Sequence, residues 1–180
     1  MDVSDDQALE AAALLIQEGF ADRLTLERVA DASDLPLTEV ERRWPTVEHL
    51  VAAVGTRAYQ THVKNIADAI GPDETPGAFL RGYLEATFPT DRERDNFALL
   101  VATLFRSAPV GETVLGPVRA KQRDIEVAIA EDGLDPVMAR ILRYAIDGLY
   151  MSDVFGLNSL TPEERHAVCT RIKSLTHAHP

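Results

Sequence analysis

Residues 24–50 read LTLERVADASDLPLTEVERRWPTVEHL, and this stretch decides the fold. Thr25 opens a short segment that stops around Ser33–Asp34, and threonine is a preferred N-cap because its hydroxyl accepts a hydrogen bond from the first helical turn. A second short segment, residues 37–44, ends at Pro45, which has no backbone N–H to continue a helix. The stretch therefore predicts two short helices joined by a tight turn.

The second short helix is predicted to have one apolar face and one polar face. Leu37, Val40 and Trp44 recur at i, i+3 and i+7, which is the spacing of a single helix face. If that face packs inward, the side chains that face outward are Thr38, Glu39, Glu41 and Arg42, with Arg43 at the edge.

A further helix is predicted to precede this pair. Ser4 and Gln7 have the form of a capping box, and Gly19 is placed to end the helix. Between them the apolar residues of one amphipathic stripe are Leu9, Ala12, Ala13, Ile16 and Phe20. Three short helices, the last two joined by a tight turn, form a helix-turn-helix arrangement.

The rest of the chain is predicted to be helical as well. The expected helices span residues 47–70, 77–88, 94–107, 110–132, 135–157 and 161–176. Residues 71–76 contain two prolines and a glycine, which break a helix. Residues 141–151 are apolar on nearly all sides, so this helix is expected to be buried on more than one side. Because no stretch alternates with period two, the predicted fold class is all-α: a three-helix helix-turn-helix domain followed by a larger helical domain.

Composition excludes several classes of protein. The chain has 180 residues, of which 46% are hydrophobic and 26% charged, as in an ordinary globular protein. No apolar run approaches the ~20 residues that cross a bilayer, and the first residues are acidic where a signal peptide is basic, so a cytoplasmic protein with no membrane partner is expected. One cysteine and five histidines lack metal-ligand spacing, so neither a metal nor a cofactor is expected. Without a nucleophile elbow or a phosphate-binding glycine loop, the protein is not expected to be an enzyme.

The spacing of residues across positions 6–55 carries a family resemblance. The matching features are the Ala-rich first helix, Glu18-Gly19-Phe20, Thr25, Val29-Ala30 and the ending Trp44-Pro45-Thr46-Val47-Glu48-His49-Leu50. They resemble the N-terminal domain of TetR/AcrR-type regulators, and the Ala145, Gly148 and Leu149 spacing resembles the penultimate helix of that family. The resemblance implies a homodimeric, ligand-responsive repressor, with a helix-turn-helix DNA-binding domain at residues 1–50 and a helical ligand-binding and dimerisation domain at residues 51–180.

The expected partner of the first domain is operator DNA. Thr25 is expected to give its hydroxyl and backbone N–H to a phosphate. On the second short helix the candidates are Thr38, Arg42 and Arg43, since arginine pairs bidentately with guanine O6 and N7. Asp34 replaces the usual turn glycine of the family, which is compatible with the turn because Asp adopts the left-handed conformation more readily than most residues.

Charge and two departures from the family pattern leave a second interpretation open. Residues 1–58 hold 12 acidic side chains against five arginines, a net charge of −7, within −11 for the whole chain. Glu41 and Val47 stand where the family has a tyrosine and a lysine that contact the DNA backbone. Because Lys and Arg contacts to phosphate supply non-specific affinity, DNA binding is expected to be weak. The alternative is a dimer of the same fold that binds a ligand or a protein and has lost DNA binding.

The second domain is expected to bind a small, mainly apolar effector. The resemblance implies a pocket there, and the candidate lining residues are Tyr83, Phe105, Met138 and Tyr144. The alternative for each is an ordinary core residue. Asp147 lies in the apolar helix four residues after Arg143, so the two are expected to form an ion pair.

Overall fold

The structure is a computed structural model that describes residues 3–20, 23–88, 112–157 and 160–177. The helices in these ranges are α1 (Val3–Leu15), which continues into a π-helical turn (Ile16–Phe20), α2 (Leu26–Ser33), α3 (Leu37–Arg43), α4 (Val47–Ile70), α5 (Ala78–Thr87), α6 (Glu112–Ala130), α7 (Pro136–Val154) and α8 (Pro162–Leu175). There is no strand in these ranges, so the predicted all-α class is confirmed. None of these helices combines the length and the apolar character needed to cross a membrane.

The chain divides into two compact units. The first takes the chain through Gln60 together with the beginning of α6 up to Ala120, and the second contains the residues from Thr61 and from Lys121 onward. Helix α4 therefore contributes residues to both units. The division into domains at residues 1–50 and 51–180 stays a prediction.

The helix-turn-helix begins where the sequence predicted. Thr25 is the N-cap of α2, and its hydroxyl accepts a hydrogen bond from the backbone N–H of Arg28 at 3.2 Å. The turn after α2 has Asp34 in the left-handed conformation, with φ 55° and ψ 36°. The backbone N–H groups of Asp34 and Leu35 donate to the carbonyls of Asp31 and Ala30, at 3.4 and 3.1 Å. This pattern of two bonds closes a helix end, so the Asp that replaces a glycine keeps the tight turn.

A single apolar core holds the first unit together. Its buried side chains are Ala8, Leu9, Ala12, Ile16, Leu24, Val29, Ala30, Val40, Trp44, Leu50, Val51 and Val54. Leu37 packs against this core, so the inward face predicted for α3 is confirmed. With that face buried, the opposite face of α3 is exposed to solvent.

Two details of the first helix were predicted wrongly. The helix begins at Val3, so Ser4 lies inside the first turn and is not the N-cap. Gly19 does not end it either, because the helical backbone continues through a π-helical turn to Phe20. A glycine costs a helix only about 1 kcal/mol relative to alanine, and the wider turn accommodates it.

The later helices are confirmed where the structure describes them. Asp135 caps α7 by accepting a hydrogen bond from the backbone N–H of Met138 at 2.8 Å. Thr161 and Glu164 form the predicted capping box at the start of α8. The helix predicted over residues 94–107 lies outside the described residues.

The guanidinium of Arg81, which is buried, organises the loop before α5. It donates from Nε and Nη2 to the carboxylate of Asp73, at 2.9 and 2.7 Å, and from Nη1 to the carbonyl oxygens of Pro76 and Thr176. Hydrogen bonds from Thr75, together with Arg81, hold the pKa of Asp73 down to about 2. One arginine thus connects the loop to α5 and to the end of α8.

The start of α5 is capped by a distant side chain. The carboxylate of Asp132 accepts hydrogen bonds from the backbone N–H groups of Phe79 and Leu80, at 2.7 and 3.0 Å. Burial raises the pKa of Asp132, although these two bonds act in the opposite direction. Gly77 precedes the helix with φ 85° and donates its N–H to the Asp132 carbonyl.

We expect Gly77→Ala to destabilise the protein by about 2 kcal/mol or more. Its Cβ would overlap the backbone carbonyl oxygen of Thr176 and lie 2.8 Å from Nη1 of Arg81, in addition to the left-handed strain. Gly71→Ala is the matched control, since Gly71 also has a positive φ but its Cβ would meet only the Asp68 carbonyl oxygen at 3.9 Å. Urea unfolding measures both variants, and equal losses of stability would contradict the steric argument.

Candidate functional site

The exposed face of α3 is the first candidate site. Thr38, Glu41 and Arg42 are exposed, and Glu39 is half-buried. The two glutamates and the two arginines of α3 cancel in formal charge. The face therefore has polar groups able to contact bases but no net positive charge to attract phosphates.

The two arginines of α3 have different surroundings. Nε of Arg43 lies 2.5 Å from a carboxylate oxygen of Asp5 on α1. The Asp5 side chain is largely buried. Within the described ranges, Arg42 has neither an ion pair nor a hydrogen bond. Arg42 is therefore the arginine of this face that stays available to a ligand, whereas Arg43 connects α3 to α1.

Carboxylates already occupy the beginnings of α2 and α4. Hydrogen bonds from its own backbone N–H and from the Thr25 side chain lower the pKa of Glu27. Hydrogen bonds from the Thr46 side chain and its own backbone N–H lower the pKa of Glu48 in the same way. Helix N-termini attract anions, and at the beginning of α2 the Glu27 carboxylate already takes this place. A phosphate that approaches Thr25 is therefore repelled by the Glu27 charge.

Three of the four residues predicted to line the effector pocket are among the described residues. Tyr83 is buried in α5, and Met138 is half-buried near the start of α7. Tyr144 lies on α7 with 61% of its surface exposed. Phe105 lies outside the described residues. The proposal that these four line a pocket remains untested.

Tyr83 belongs to a polar cluster, which we define as Tyr83, Gln122, Arg143 and Asp147. The predicted ion pair is confirmed: Nε of Arg143 donates to one Asp147 carboxylate oxygen at 2.7 Å, and the Tyr83 hydroxyl donates to the other at 2.7 Å. Nη2 of Arg143 donates to the Gln122 side-chain oxygen at 2.6 Å. The cluster links α5, α6 and α7.

Arg143 is 2% exposed and lies over the Tyr83 ring, with its guanidinium carbon 4.9 Å from the ring centre. Burial lowers the pKa of Arg143, but the hydrogen bond to Asp147 and the negative charges of Asp147 and Glu126 outweigh this, so the pKa is raised overall. Burial, followed by the Asp147 charge, raises the pKa of Tyr83. Both groups therefore hold their protons across the physiological range.

Two aromatic side chains surround the tyrosine of the cluster. The Phe79 ring stacks on Tyr83, with centres 6.3 Å apart, and the buried His62 meets Tyr83 edge-on at 5.7 Å. The i, i+4 spacing of Arg143 and Asp147 predicted the ion pair but did not indicate a site. The available signal was the presence of two charged residues in the otherwise apolar stretch 141–151.

One face of α7 is exposed and apolar. Its large members are Val137, Ile141 and Tyr144, which are 65%, 56% and 61% exposed. Ala145 and Gly148 continue the same face and are also exposed. The opposite face holds the buried Ala139, Leu142 and Ile146. Among the described residues of α7, the side with Leu142 and Ile146 is therefore covered by the chain itself, whereas the side with Ile141 and Tyr144 is exposed.

Potential metal ligands do not converge. Across the described part of the chain, no group of three or more His, Cys, Asp or Glu side chains is placed to hold a metal ion.

Comparison with known proteins gives a consistent result. Residues 77–177 match the family model of the tetracyclin repressor-like C-terminal domain. A transcriptional regulator from Rhodococcus sp. Rha1 superposes with a TM-score of 0.78 over 99% of this chain and 100% of its own, at 17% identity. A TetR-like transcriptional regulator from Rhodococcus sp. RHA1 gives 0.66 over 97% and 93%, at 19% identity. The multidrug binding protein EbrR, complexed with imidazole, gives 0.68 over 100% and 98%, at 17% identity. No curated protein matches the sequence.

We expect Asp147→Ala to destabilise the protein by about 3 kcal/mol or more, because it leaves the buried Arg143 charge without its counterion. Asp68→Ala is the matched control: Lys64 and Asp68 form an ion pair of the same i, i+4 spacing at 2.6 Å, but on the surface of α4. Its loss is expected to cost less than about 1 kcal/mol. Urea unfolding compares the two variants, and similar losses would show that burial of the Arg143 pair has no energetic consequence.

Proposed function

This chain belongs to the TetR family of transcriptional regulators, and we propose that it is a ligand-responsive repressor that binds operator DNA as a homodimer. The observation that carries the proposal is the helix-turn-helix of α2 and α3, with its buried apolar face and the unengaged Arg42 on its exposed face. We propose further that it acts in the cytoplasm and has no catalytic activity of its own.

Under this proposal, residues 1–50 read the DNA. Arg42 is the principal base-reading candidate, and Thr38 lies beside it on the exposed face of α3. Thr25 and the N-terminus of α2 are the candidate phosphate contacts. The carboxylate of Glu27 and the net charge of −7 over residues 1–58 weaken non-specific binding, so the complex depends on base contacts to an unusual degree.

The exposed apolar face of α7 supports the homodimer. A face that exposes Val137, Ile141 and Tyr144 together is costly in water unless another surface covers it. Ala145 and Gly148 add small residues that let a second helix approach closely, and a Cβ added at Gly148 would meet nothing within 4 Å. In a twofold dimer the same face of the partner covers this one.

Residues 51–180 are proposed to bind the effector. The similarity in fold to EbrR, a multidrug binding protein complexed with imidazole, supports a small-molecule site here. Release of the operator follows from population shift. The ligand and the DNA prefer different spacings of the two helix-turn-helix domains of the dimer, so binding of one disfavours binding of the other.

Acidic groups favour a second candidate function. Glu41 lies on the exposed face of α3, and Glu27 and Glu48 occupy the beginnings of α2 and α4. These charges repel phosphate at three places where such a fold would contact DNA. The alternative is a dimer of this fold that binds a ligand or a protein without reading DNA.

We expect Arg42→Ala to weaken binding to operator fragments from beside the gene by about tenfold or more, since one bidentate base contact is lost. Arg43→Ala is expected to have a smaller effect, because Asp5 already neutralises Arg43. Arg140→Ala, an exposed arginine on α7, removes the same charge elsewhere and serves as control. Fluorescence anisotropy at low and moderate salt measures all three.

The repressor proposal is contradicted if the protein is a dimer in solution but forms no sequence-dependent complex with DNA at any salt concentration. That outcome would support a dimer of this fold that does not read DNA. Equal losses in Arg42→Ala and Arg140→Ala would show that binding senses only net charge.

We expect Ile141→Glu to convert the homodimer to a monomer, because it places a charge in the proposed α7 interface. Leu14→Glu is the matched control, since Leu14 is similarly exposed, at 51% against 56%, but lies on α1. Analytical ultracentrifugation reports the mass of each variant. A dimeric Ile141→Glu protein would place the interface elsewhere.

A further inference from the structure

The Arg143 guanidinium has a donor without an acceptor. Its Nε and Nη2 are bonded to Asp147 and Gln122, but Nη1 is buried and has no hydrogen-bond partner among the described residues. Leaving a buried N–H of a charged group unbonded is costly, so native structures nearly always supply such a group with an acceptor from protein, water or a bound molecule. The geometry therefore leaves one strong, desolvated donor ready for an acceptor that is not part of this described chain.

The charge balance around Arg143 determines which acceptor fits. The positive charge of Arg143 is offset by Asp147, whose two oxygens are already taken by Arg143 and Tyr83. The negative charge of Glu126 acts on Arg143 as well. An anionic ligand would add a further negative charge to a buried site whose positive charge is already neutralised, which is unfavourable. An uncharged acceptor adds a hydrogen bond without that electrostatic cost.

The surroundings favour an apolar body on this ligand. The guanidinium lies over the Tyr83 ring, and Phe79 and His62 contact the same ring. A ligand that reaches Nη1 must lose its water beside these side chains, and an apolar body loses hydration at a lower cost than a strongly hydrated one.

We propose that Arg143 Nη1 donates a hydrogen bond to the carbonyl oxygen of an uncharged, mainly apolar effector, such as a ketone, ester or amide. The proposal rests on the proposed effector-binding role of residues 51–180 and specifies the chemistry of that site. The Tyr83 ring packs against the guanidinium of Arg143, and Asp147 and Gln122 fix the orientation of the guanidinium plane.

Matched probes test this on the 180-residue chain by calorimetry. One set is benzophenone, diphenylmethane and 4-benzoylbenzoate; the other is 4-phenylcyclohexanone, phenylcyclohexane and 4-phenylcyclohexanecarboxylate. In at least one set, the ketone is expected to bind about tenfold or more tightly than its hydrocarbon, as one hydrogen bond from a charged donor predicts. The carboxylate is expected to bind more weakly than the ketone.

Arg143→Lys is expected to remove the preference for the ketone over the hydrocarbon, because lysine retains the charge but lacks the guanidinium Nη1 that donates to the carbonyl. Arg140→Lys, the same change at an exposed position of α7, should leave the preference intact. If Arg143→Lys does not fold, the infrared carbonyl stretch of the bound ketone in the unmodified protein replaces it. A shift to lower wavenumber than in an apolar solvent is expected for a hydrogen-bonded carbonyl.

The proposal is overturned if neither ketone binds, if hydrocarbon and ketone bind equally, if the carboxylate binds more tightly, or if the carbonyl stretch is unshifted. These outcomes are separable from failure of the repressor. DNA binding without ketone binding would reject this proposal alone, and ketone binding without DNA binding would reject the repressor alone.

Discussion

The ion pair of Arg143 and Asp147 is the interaction on which the second unit depends. A charged arginine at 2% exposure is tolerated only because Asp147 neutralises it and neighbouring groups bond to both partners. Those neighbours are Tyr83 on α5 and Gln122 on α6. The hydrogen bonds of this one ion pair therefore connect three helices, α5, α6 and α7. An all-apolar core would hold the helices together as well, but it would not set the orientation of a polar group within the site.

The first unit uses its charges differently. Glu27 and Glu48 stabilise the beginnings of α2 and α4 through hydrogen bonds that lower the pKa of each carboxyl. The same N-termini are where a helix-turn-helix would receive phosphates. Local helix stability and affinity for DNA are therefore opposed at these two positions. In such a protein, specificity has to come from a few base contacts, because the general attraction to the DNA backbone is small.

Local signals in the sequence predicted most of the helices. Caps such as Thr25, Asp135 and Thr161 depend on residues three positions away, so the sequence displays them directly. Contacts between distant residues were not predictable. Arg43 and Asp5 are 38 positions apart, and no periodicity indicates that one holds the other. The Arg143–Asp147 pair was predictable from its i, i+4 spacing, but its burial beside Tyr83 depends on how α5 packs against α7.

The composition of α4 constrains how an uncharged effector would act. Such a ligand brings no charge to alter the field around the reading helices, so its effect must travel through packing. Helix α4 carries Leu50 and Val54 in the core of the first unit and His62 against Tyr83 in the second. Under the proposal of a ligand-responsive repressor, a displacement of the Tyr83 ring would reach α4 first at His62, whose ring meets that of Tyr83 at 5.7 Å.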